Sequence, residues 1–89
     1  MNKTGINTFG WALKEVQNGS KIIRSGWNGK NMWVQYHSGI SPDNETQEMQ
    51  LPYLEMVYPI GHPAYPAGCR VPWLASQTDI LATDWSVME

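Results

Sequence analysis

The sequence predicts an α+β fold in which an N-terminal helix and a short second helix pack on a largely antiparallel sheet. Three patterns predict it: an amphipathic helical repeat near the N-terminus, an Asn28-Gly29 pair between two β-prone segments, and a capped helix start at Ser76. With 89 residues, the chain has the length of a single small domain, 1–89. Its core is close to the lower size limit for independent stability.

The first predicted element is a helix between Thr8, which can cap it, and Gly19, which can end it in the left-handed conformation. Its apolar residues fall at i, i+3, i+4 and i+7 and form one helical face. These residues are Phe9, Ala12, Leu13 and Val16. The pattern therefore predicts a helix that packs on the sheet through one side.

A β-hairpin follows the helix. The two β-prone segments are residues 21–27 and 30–36, and they flank Asn28-Gly29, the strongest short-range signal for a type I′ turn. Both faces of this hairpin carry large apolar side chains. That distribution is typical of a sheet that is covered by helices on one side and by another subunit on the other.

The register of the hairpin depends on the length of its loop. A two-residue turn at Asn28-Gly29 pairs Ile23 with Val34 and Arg24 with Trp33, which would place the Arg24 guanidinium over the Trp33 ring. A bulge at Gly26 would lengthen the loop and change this pairing.

The remaining strands are separated by two irregular segments. Residues 38–49 are polar and rich in turn formers, so we expect a loop there. A third strand is predicted at 53–58, followed by a Pro-rich excursion at 59–69. A short strand at 70–71 and a last strand at 85–88 complete the sheet.

Residues 72–85 contain the second helix. Ser76 is a good N-cap, and Asp79, three residues later, suits a capping box. Trp73 and Trp85 lie on either side of this helix in the sequence. Two flat rings beside a helix N-terminus, which favours an anion, suit a nucleotide-like ligand. The same residues also describe an ordinary capped helix with two core tryptophans, and the residue pattern by itself favours that interpretation.

Composition and charge exclude several classes of partner. Six basic and eight acidic residues give a formal net charge of −2 without a basic stripe, so nucleic acid is not an expected partner. No apolar run approaches the roughly 18 residues of a membrane span, and the N-terminus lacks the apolar segment of a secretory signal. The single Cys69 cannot form an internal disulfide. Together these features favour a reducing cytoplasm.

The aromatic content predicts an oligomer. The chain has five Trp and four Tyr but one Phe, and Trp and Tyr are enriched at interfaces and ligand sites. A small chain of this kind can complete its core across subunits. The alternative is that tryptophan simply fills a small core efficiently.

Motifs for catalysis or metal binding are scarce in this sequence. His37 and His62 lie in different segments, and a zinc site would need more Cys or His. Ser41 and Ser76 have no adjacent base that the sequence identifies, and there is no Gly-x-x-x-x-Gly-Lys phosphate loop. The sequence therefore predicts a binding protein rather than an enzyme, without catalytic residues, metal or cofactor.

The chain resembles a known family over nearly its whole length. The matching blocks are Phe9-Gly10-Trp11-Ala12-Leu13, Arg24-Ser25-Gly26-Trp27-Asn28-Gly29-Lys30, Leu51-Pro52-Tyr53, Val71-Pro72-Trp73-Leu74-Ala75-Ser76-Gln77-Thr78-Asp79 and Asp84-Trp85. They are similar to those of a family of small phage proteins, the second type of Thoeris anti-defence protein. The blocks Gly-Trp-Asn-Gly-Lys and Trp-Leu-Ala-Ser-Gln-Thr-Asp are specific in combination.

The resemblance implies a sponge in the cytoplasm of the infected bacterial host. Proteins of this family are homotetramers that bind and hold the Thoeris immune signal, a glycosidic isomer of cyclic ADP-ribose, without cleaving it. Some relatives are reported to hold cyclic oligonucleotide signals. The chain departs from the family at 59–69, where a short polar turn is commoner than this Pro-rich segment.

A cyclic ADP-ribose carries a diphosphate, two riboses and one adenine, and the resemblance implies residues for the charged part. The backbone amides of Ser76, Gln77 and Thr78 suit the diphosphate. Arg24 or Lys30 would add positive charge beside it.

Other residues suit the base and the sugars. Trp27 and Trp73 can stack on the adenine, at about 1–3 kcal/mol per base in stacking sites generally. Asn28 offers donors and acceptors to a base edge or a ribose hydroxyl, and Asp84 can accept from a ribose hydroxyl. For Asn28, a turn that merely needs a left-handed residue is about as good an explanation.

Two other functions stay open at this point. The first is an enzyme that degrades a cyclic nucleotide signal, which would show turnover. The second is a module that inhibits a host defence effector directly through an aromatic surface, which would need no nucleotide.

Overall fold

A computed structural model describes residues 6–27, 31–39 and 51–88 of the chain. The predicted Asn28-Gly29 turn, Lys30 and most of the 38–49 loop lie outside these ranges. The elements within them are α1 (Phe9–Gln17), β1 (Lys21–Arg24), a 3₁₀ turn (Ser25–Trp27), β2 (Trp33–His37), β3 (Tyr53–Tyr58), β4 (Cys69–Pro72), α2 (Gln77–Leu81) and β5 (Trp85–Met88). The predicted α+β class is confirmed.

The described strands form one antiparallel sheet. Its order is β4-β3-β2-β1-β5, so the last strand of the chain returns to lie beside the first. β5 pairs with β1 from Lys21↔Met88 to Arg24↔Trp85. This pairing brings the end of β1 next to the residues that follow α2, and the candidate site forms there.

The register of β1 and β2 differs from the two-residue prediction. Ile22, not Ile23, pairs with Val34, so the predicted pairs Ile23–Val34 and Arg24–Trp33 are wrong. The physical reason is that β1 ends at Arg24 and residues 25–27 turn away as a 3₁₀ segment. This longer connection shifts the pairing by one residue and exchanges the two faces of β1.

The core lies between α1 and one face of the sheet. Helix α1 contacts β1, β2 and β5, and the side chains buried between these layers form one cluster. Its members are Ala12, Val16, Ile22, Val34, Met56 and Trp85. Full burial of each aliphatic side chain of the Val, Ile or Met type contributes roughly 1.5–3 kcal/mol.

Both ends of α1 behave as the sequence predicts. The Thr8 hydroxyl accepts a hydrogen bond from the Trp11 amide at 3.2 Å, which caps the N-terminus. Gly19 adopts φ +104°, and its amide donates to the carbonyl of Val16 at 3.0 Å. The left-handed residue therefore ends the helix and satisfies one of its last carbonyls.

The face of the sheet opposite α1 carries a polar and aromatic network. The Trp33 indole donates to the Gln35 amide oxygen at 3.0 Å, and the Gln35 amide donates to Glu55 at 2.7 Å. The buried Glu55 carboxylate also lies 3.6 Å from Arg70. Lys21, not Arg24, lies over the Trp33 ring, at 4.6 Å from its centroid.

The Pro-rich segment between β3 and β4 is irregular, as predicted, and its last residue belongs to β4. The amide of Gly61 donates to the carbonyl of Pro66 at 2.8 Å and closes the loop. His62 is buried there, with its ring centroid 4.9 Å from that of Tyr58 and 6.0 Å from that of Tyr65. The loop is thus a packed structure at the β4 edge of the sheet.

Candidate functional site

Four aromatic rings meet where β1, β5 and α2 converge, and we call this group the aromatic cluster: Phe9, Trp27, Trp73 and Trp85. The Trp27 and Trp85 rings are 5.4 Å apart at 82°, and the Trp73 and Trp85 rings are 6.1 Å apart at 75°. Trp27 and Trp73 themselves meet edge-on at 6.5 Å. Such edge-to-face contacts are favourable between aromatic rings.

Trp85 forms the base of the aromatic cluster. Its side chain is fully buried, and its indole donates to the backbone carbonyl of Asp79 at 2.9 Å. Its own amide donates to the carbonyl of Asn7 at 3.1 Å. Trp85 is therefore a core residue, whereas Trp27 and Trp73 are only partly buried and can still offer ring surface to a ligand.

The start of α2 has the predicted capping box. The Asp79 amide donates to the Ser76 hydroxyl at 3.1 Å, and the Ser76 amide donates to the Asp79 carboxylate at 3.2 Å. Ser76, Gln77 and Thr78 are all exposed. The prediction that a capped helix begins here is confirmed.

The apolar side of α2 is left exposed by the part of the chain that the structure describes. Leu81 is 74% exposed and Ile80 is 46% exposed, and Leu74, just before the helix, is 91% exposed. Exposed apolar side chains gathered in one region are typical of a surface that another molecule covers.

Arg24 links the end of β1 to α2 and to the residue just before β5. Its Nε lies 2.8 Å from Asp84 Oδ1, and its Nη1 lies 2.8 Å from Asp79 Oδ1. The second oxygen of Asp84 accepts a hydrogen bond from the Gly26 amide at 2.8 Å. We call Arg24, Asp79 and Asp84 the Arg24 clasp.

The electrostatics of the clasp favour the charged form of all three groups. The hydrogen bonds that Arg24 donates to Asp84 and Asp79 raise the pKa of Arg24 above its ordinary value. The hydrogen bond from Arg24 lowers the pKa of Asp84 below 3.8, its ordinary value. Partial burial acts to raise the pKa of Asp79, but the hydrogen bonds from Arg24 and Ser76 outweigh it and the pKa is lowered.

A cavity of about 190 Å³ lies beside Arg24 and Trp27. Its lining residues are Ile23, Arg24, Ser25, Trp27, Asn31, Met32 and Met88. Pockets that enclose drug-sized ligands are generally about 300–1,000 Å³. A ligand of the size of a dinucleotide would therefore extend beyond this cavity.

A second groove, of about 440 Å³, is bordered by α1, β2 and β3. Its lining residues are Leu13, Gln17, Tyr36, Leu51, Pro52, Tyr53 and Leu54. None of the residues predicted for ligand binding lines this groove.

The structure brings together four of the residues predicted for the site: Arg24, Trp27, Trp73 and Asp84. Ser76, Gln77 and Thr78 lie at the exposed start of α2, and Asn28 and Lys30 lie outside the described residues. Sequence reasoning missed the pairing of Arg24 with Asp79 and with Asp84, which lie 55 and 60 residues away along the chain. No local pattern could have indicated these pairs.

The described ranges contain neither a cluster of metal ligands nor a membrane-spanning helix. Over residues 6–27, 31–39 and 51–88, no three His, Cys, Asp or Glu side chains lie close enough to hold one metal ion. In the same ranges, no helix combines the length and the apolar character that crossing a membrane requires.

Partly exposed rings beside a group of charged side chains are typical of a small ligand-binding domain. The chain belongs to the Thoeris anti-defense 2-like domain family, whose sequence model matches residues 7–88. It is also similar to Thoeris anti-defense 2 of Bacillus phage SP01. The two are 33% identical over an alignment that covers 91% of this chain and 93% of that protein. The resemblance found in the sequence motifs is thus confirmed, and the family points to a role in phage anti-defence.

Proposed function

We propose that this protein is a phage anti-defence sponge that binds a cyclic ADP-ribose isomer, the Thoeris signal, and holds it without degrading it. Sequestration in the cytoplasm of the infected host would prevent activation of the defence effector. The observation that carries the proposal is the placement of Trp27 and Trp73. Their partly exposed rings meet edge-on at 6.5 Å in a chain that belongs to the Thoeris anti-defense 2-like family.

The chemistry of the site supports this ligand class. Trp27 and Trp73 offer ring surface on which an adenine can stack, at about 1–3 kcal/mol per base. The exposed α2 start would present the backbone amides of Gln77 and Thr78 to the diphosphate. The Ser76 amide already donates to the Asp79 carboxylate at 3.2 Å, so Ser76 would act by capping the helix. Asn28 and Lys30, outside the described residues, would contribute hydrogen bonds and positive charge from the neighbouring connection.

We further propose that residues 1–89 form one signal-binding domain that assembles as a homotetramer. Two observations support assembly. The cavity of about 190 Å³ beside Trp27 is smaller than a cyclic ADP-ribose needs, so a second copy would complete the site. The exposed side chains of Leu74, Ile80 and Leu81 supply apolar surface that such a copy would cover.

The decisive experiment is recovery of the ligand. The protein is incubated with a purified cyclic ADP-ribose isomer, freed of unbound ligand by gel filtration, and denatured by heat. The released material is then identified by liquid chromatography and mass spectrometry.

We expect the isomer to be recovered unchanged and in stoichiometric amount. Recovery of ADP-ribose or another breakdown product would overturn the sponge and identify an enzyme. Absence of any bound nucleotide, together with direct binding to the host effector, would instead identify a protein inhibitor.

A further inference from the structure

The Arg24 clasp joins three segments of the chain that border the aromatic cluster. Arg24 ends β1, Asp79 lies in α2, and Asp84 immediately precedes β5. The side chains of Arg24 and Asp79 are only 16% and 14% exposed. The guanidinium of Arg24 lies 2.8 Å from each of the two carboxylates. It is therefore already paired with two protein groups.

Asp84 also accepts hydrogen bonds from the 3₁₀ turn Ser25–Trp27. Its carboxylate accepts from the Gly26 amide at 2.8 Å, and its backbone carbonyl accepts from the Ser25 amide at 3.3 Å. The first amides of a helical turn have no partner within the turn, so an external acceptor stabilises them. The last residue of this turn is Trp27.

Gly26 leaves just enough room for this arrangement. A Cβ atom at Gly26 would lie 3.1 Å from Arg24 Nη2 and 3.2 Å from Asp84 Oδ2. Both distances are shorter than ordinary van der Waals contact. A methyl group at this position would therefore require the guanidinium and the carboxylate to shift by a few tenths of an ångström.

We propose that Arg24 and Asp84 are positioning residues of the ligand site: they hold the Ser25–Trp27 turn so that the Trp27 ring is in place before a ligand arrives. This inference rests on the proposed function, because it concerns the same site. It assigns to the two side chains a role distinct from direct contact with a phosphate or a ribose. Fixing a binding group in advance increases affinity because less ordering is required when the ligand binds.

The two aspartates of the clasp provide a matched pair of variants. Asp84→Asn leaves one acceptor oxygen where two are in use, so either Arg24 or the Gly26 amide loses its partner. Asp79→Asn removes the same charge from the same arginine, but the Asp79 carboxylate accepts its hydrogen bonds from Arg24 and Ser76, whereas that of Asp84 accepts from the turn. Only the first change should release Trp27.

The glycines provide a second matched pair. Gly26→Ala keeps every charge but introduces a methyl group into the clasp. Gly10→Ala introduces the same methyl group where nothing lies within 4 Å. Comparison of the two separates the effect of the clasp from the general effect of replacing glycine by alanine.

The first readout needs no ligand. In ¹H–¹⁵N spectra of the free protein, we expect the Trp27 indole N–H resonance to move in Asp84→Asn and in Gly26→Ala. It should stay near its wild-type position in Asp79→Asn and in Gly10→Ala. Because this measurement contains no nucleotide, it tests the positioning role even if the proposed function fails.

The second readout is the affinity for the same cyclic ADP-ribose isomer, by calorimetry, alongside the melting temperature. We expect Asp84→Asn and Gly26→Ala to weaken binding about tenfold or more, the scale of one lost hydrogen bond to a charged group. Gly10→Ala should bind as the wild type does, and Asp79→Asn should lose less affinity than Asp84→Asn.

Three results would overturn the inference. The first is an unmoved Trp27 resonance in both Asp84→Asn and Gly26→Ala. The second is equal movement in Asp84→Asn and Asp79→Asn. The third is loss of affinity that follows the melting temperature across all four variants. If Asp84→Asn does not fold, Gly26→Ala against Gly10→Ala decides the question, because both retain the full clasp charge.

Discussion

The tryptophans of the site are chemically identical but differ in their surroundings. Trp85 is fully buried and donates a hydrogen bond to the Asp79 carbonyl, whereas Trp73 is only partly buried. Removing a buried ring leaves a cavity, while removing a partly exposed ring mainly deletes contact surface. The two residues should therefore respond differently to the same substitution.

We expect Trp73→Ala to remain folded and to lose about 10- to 100-fold in affinity for the cyclic ADP-ribose isomer, as the loss of base stacking predicts. Trp85→Ala, the matched control, should lose about 3–5 kcal/mol and fail to fold. Melting temperature and affinity are measured on the same samples. If Trp73→Ala folds and binds with wild-type affinity, the Trp73 ring does not contact the ligand. If Trp73→Ala does not fold, the ring is required for the structure.

The Arg24 clasp predicts how stability depends on pH. The pKa values of Asp84 and Asp79 are lowered in the folded protein, so the unfolded chain takes up protons first as the pH falls. Their contribution is complete above the ordinary value of 3.8 and is lost as the pH decreases through the lowered values.

Unfolding by urea between about pH 5 and pH 2 tests this. We expect the free energy of unfolding to decrease with acidification, and to decrease less steeply in Asp84→Asn, which has no carboxylate to protonate at that position. Equal slopes in the two proteins would contradict the prediction.

At the level of elements, α2 is a short helix that depends on its cap. It has five residues, too few to be stable by helix propensity alone. The reciprocal hydrogen bonds of Ser76 and Asp79 satisfy amides at its start. The position of the next amides, those of the exposed residues Gln77 and Thr78, therefore depends on the capping box.

We expect Ser76→Ala to reduce stability by about 0.5–2 kcal/mol through loss of the cap. Affinity for the signal should fall as well, because the first turn frays. Thr78→Ala, in the same helix, keeps the cap and should change the free energy of unfolding by no more than about 0.5 kcal/mol. Equal stability losses in the two variants, measured by urea unfolding, would show that the cap is unimportant.

For the whole molecule, the open question is what covers the exposed apolar side chains around α2. Leu74 is 91% exposed and Leu81 is 74% exposed. The face of the sheet opposite α1 carries the Trp33 ring and the buried Glu55 carboxylate, so it is not a simple apolar surface. The α2 region is therefore the better candidate for contact between copies.

We predict a particle of four times the chain mass of 10.1 kDa in light scattering at micromolar concentration. Leu74→Asp should dissociate it, because a charge is costly in an apolar contact. Ile60→Asp adds the same charge at a residue that is 85% exposed in the Pro-rich loop, and it should leave the assembly intact. A monomeric wild-type protein would exclude the tetramer. Dissociation by Ile60→Asp but not by Leu74→Asp would show that the interface lies at the Pro-rich loop.

The features of this protein that depend on near neighbours in the chain could be predicted from the sequence alone. The helical repeat and caps of α1, the Ser76–Asp79 capping box and the existence of the strands were all predicted correctly. Each depends on residues within a few positions of one another, where propensity and capping chemistry are strong. The family was also identified from contiguous sequence blocks, and the sequence model at 7–88 confirms it.

Contacts between residues far apart in the chain became evident only from the folded arrangement of the strands and helices. The register of β1 and β2 differs by one residue from the predicted one, because the Ser25–Trp27 turn lengthens the connection. The partners of Arg24 lie 55 and 60 residues away, so the clasp forms only when β5 returns to lie beside β1. The same strand pairing buries Trp85 while Trp27 and Trp73 stay partly exposed, since burial depends on the packing of distant elements and not on residue type.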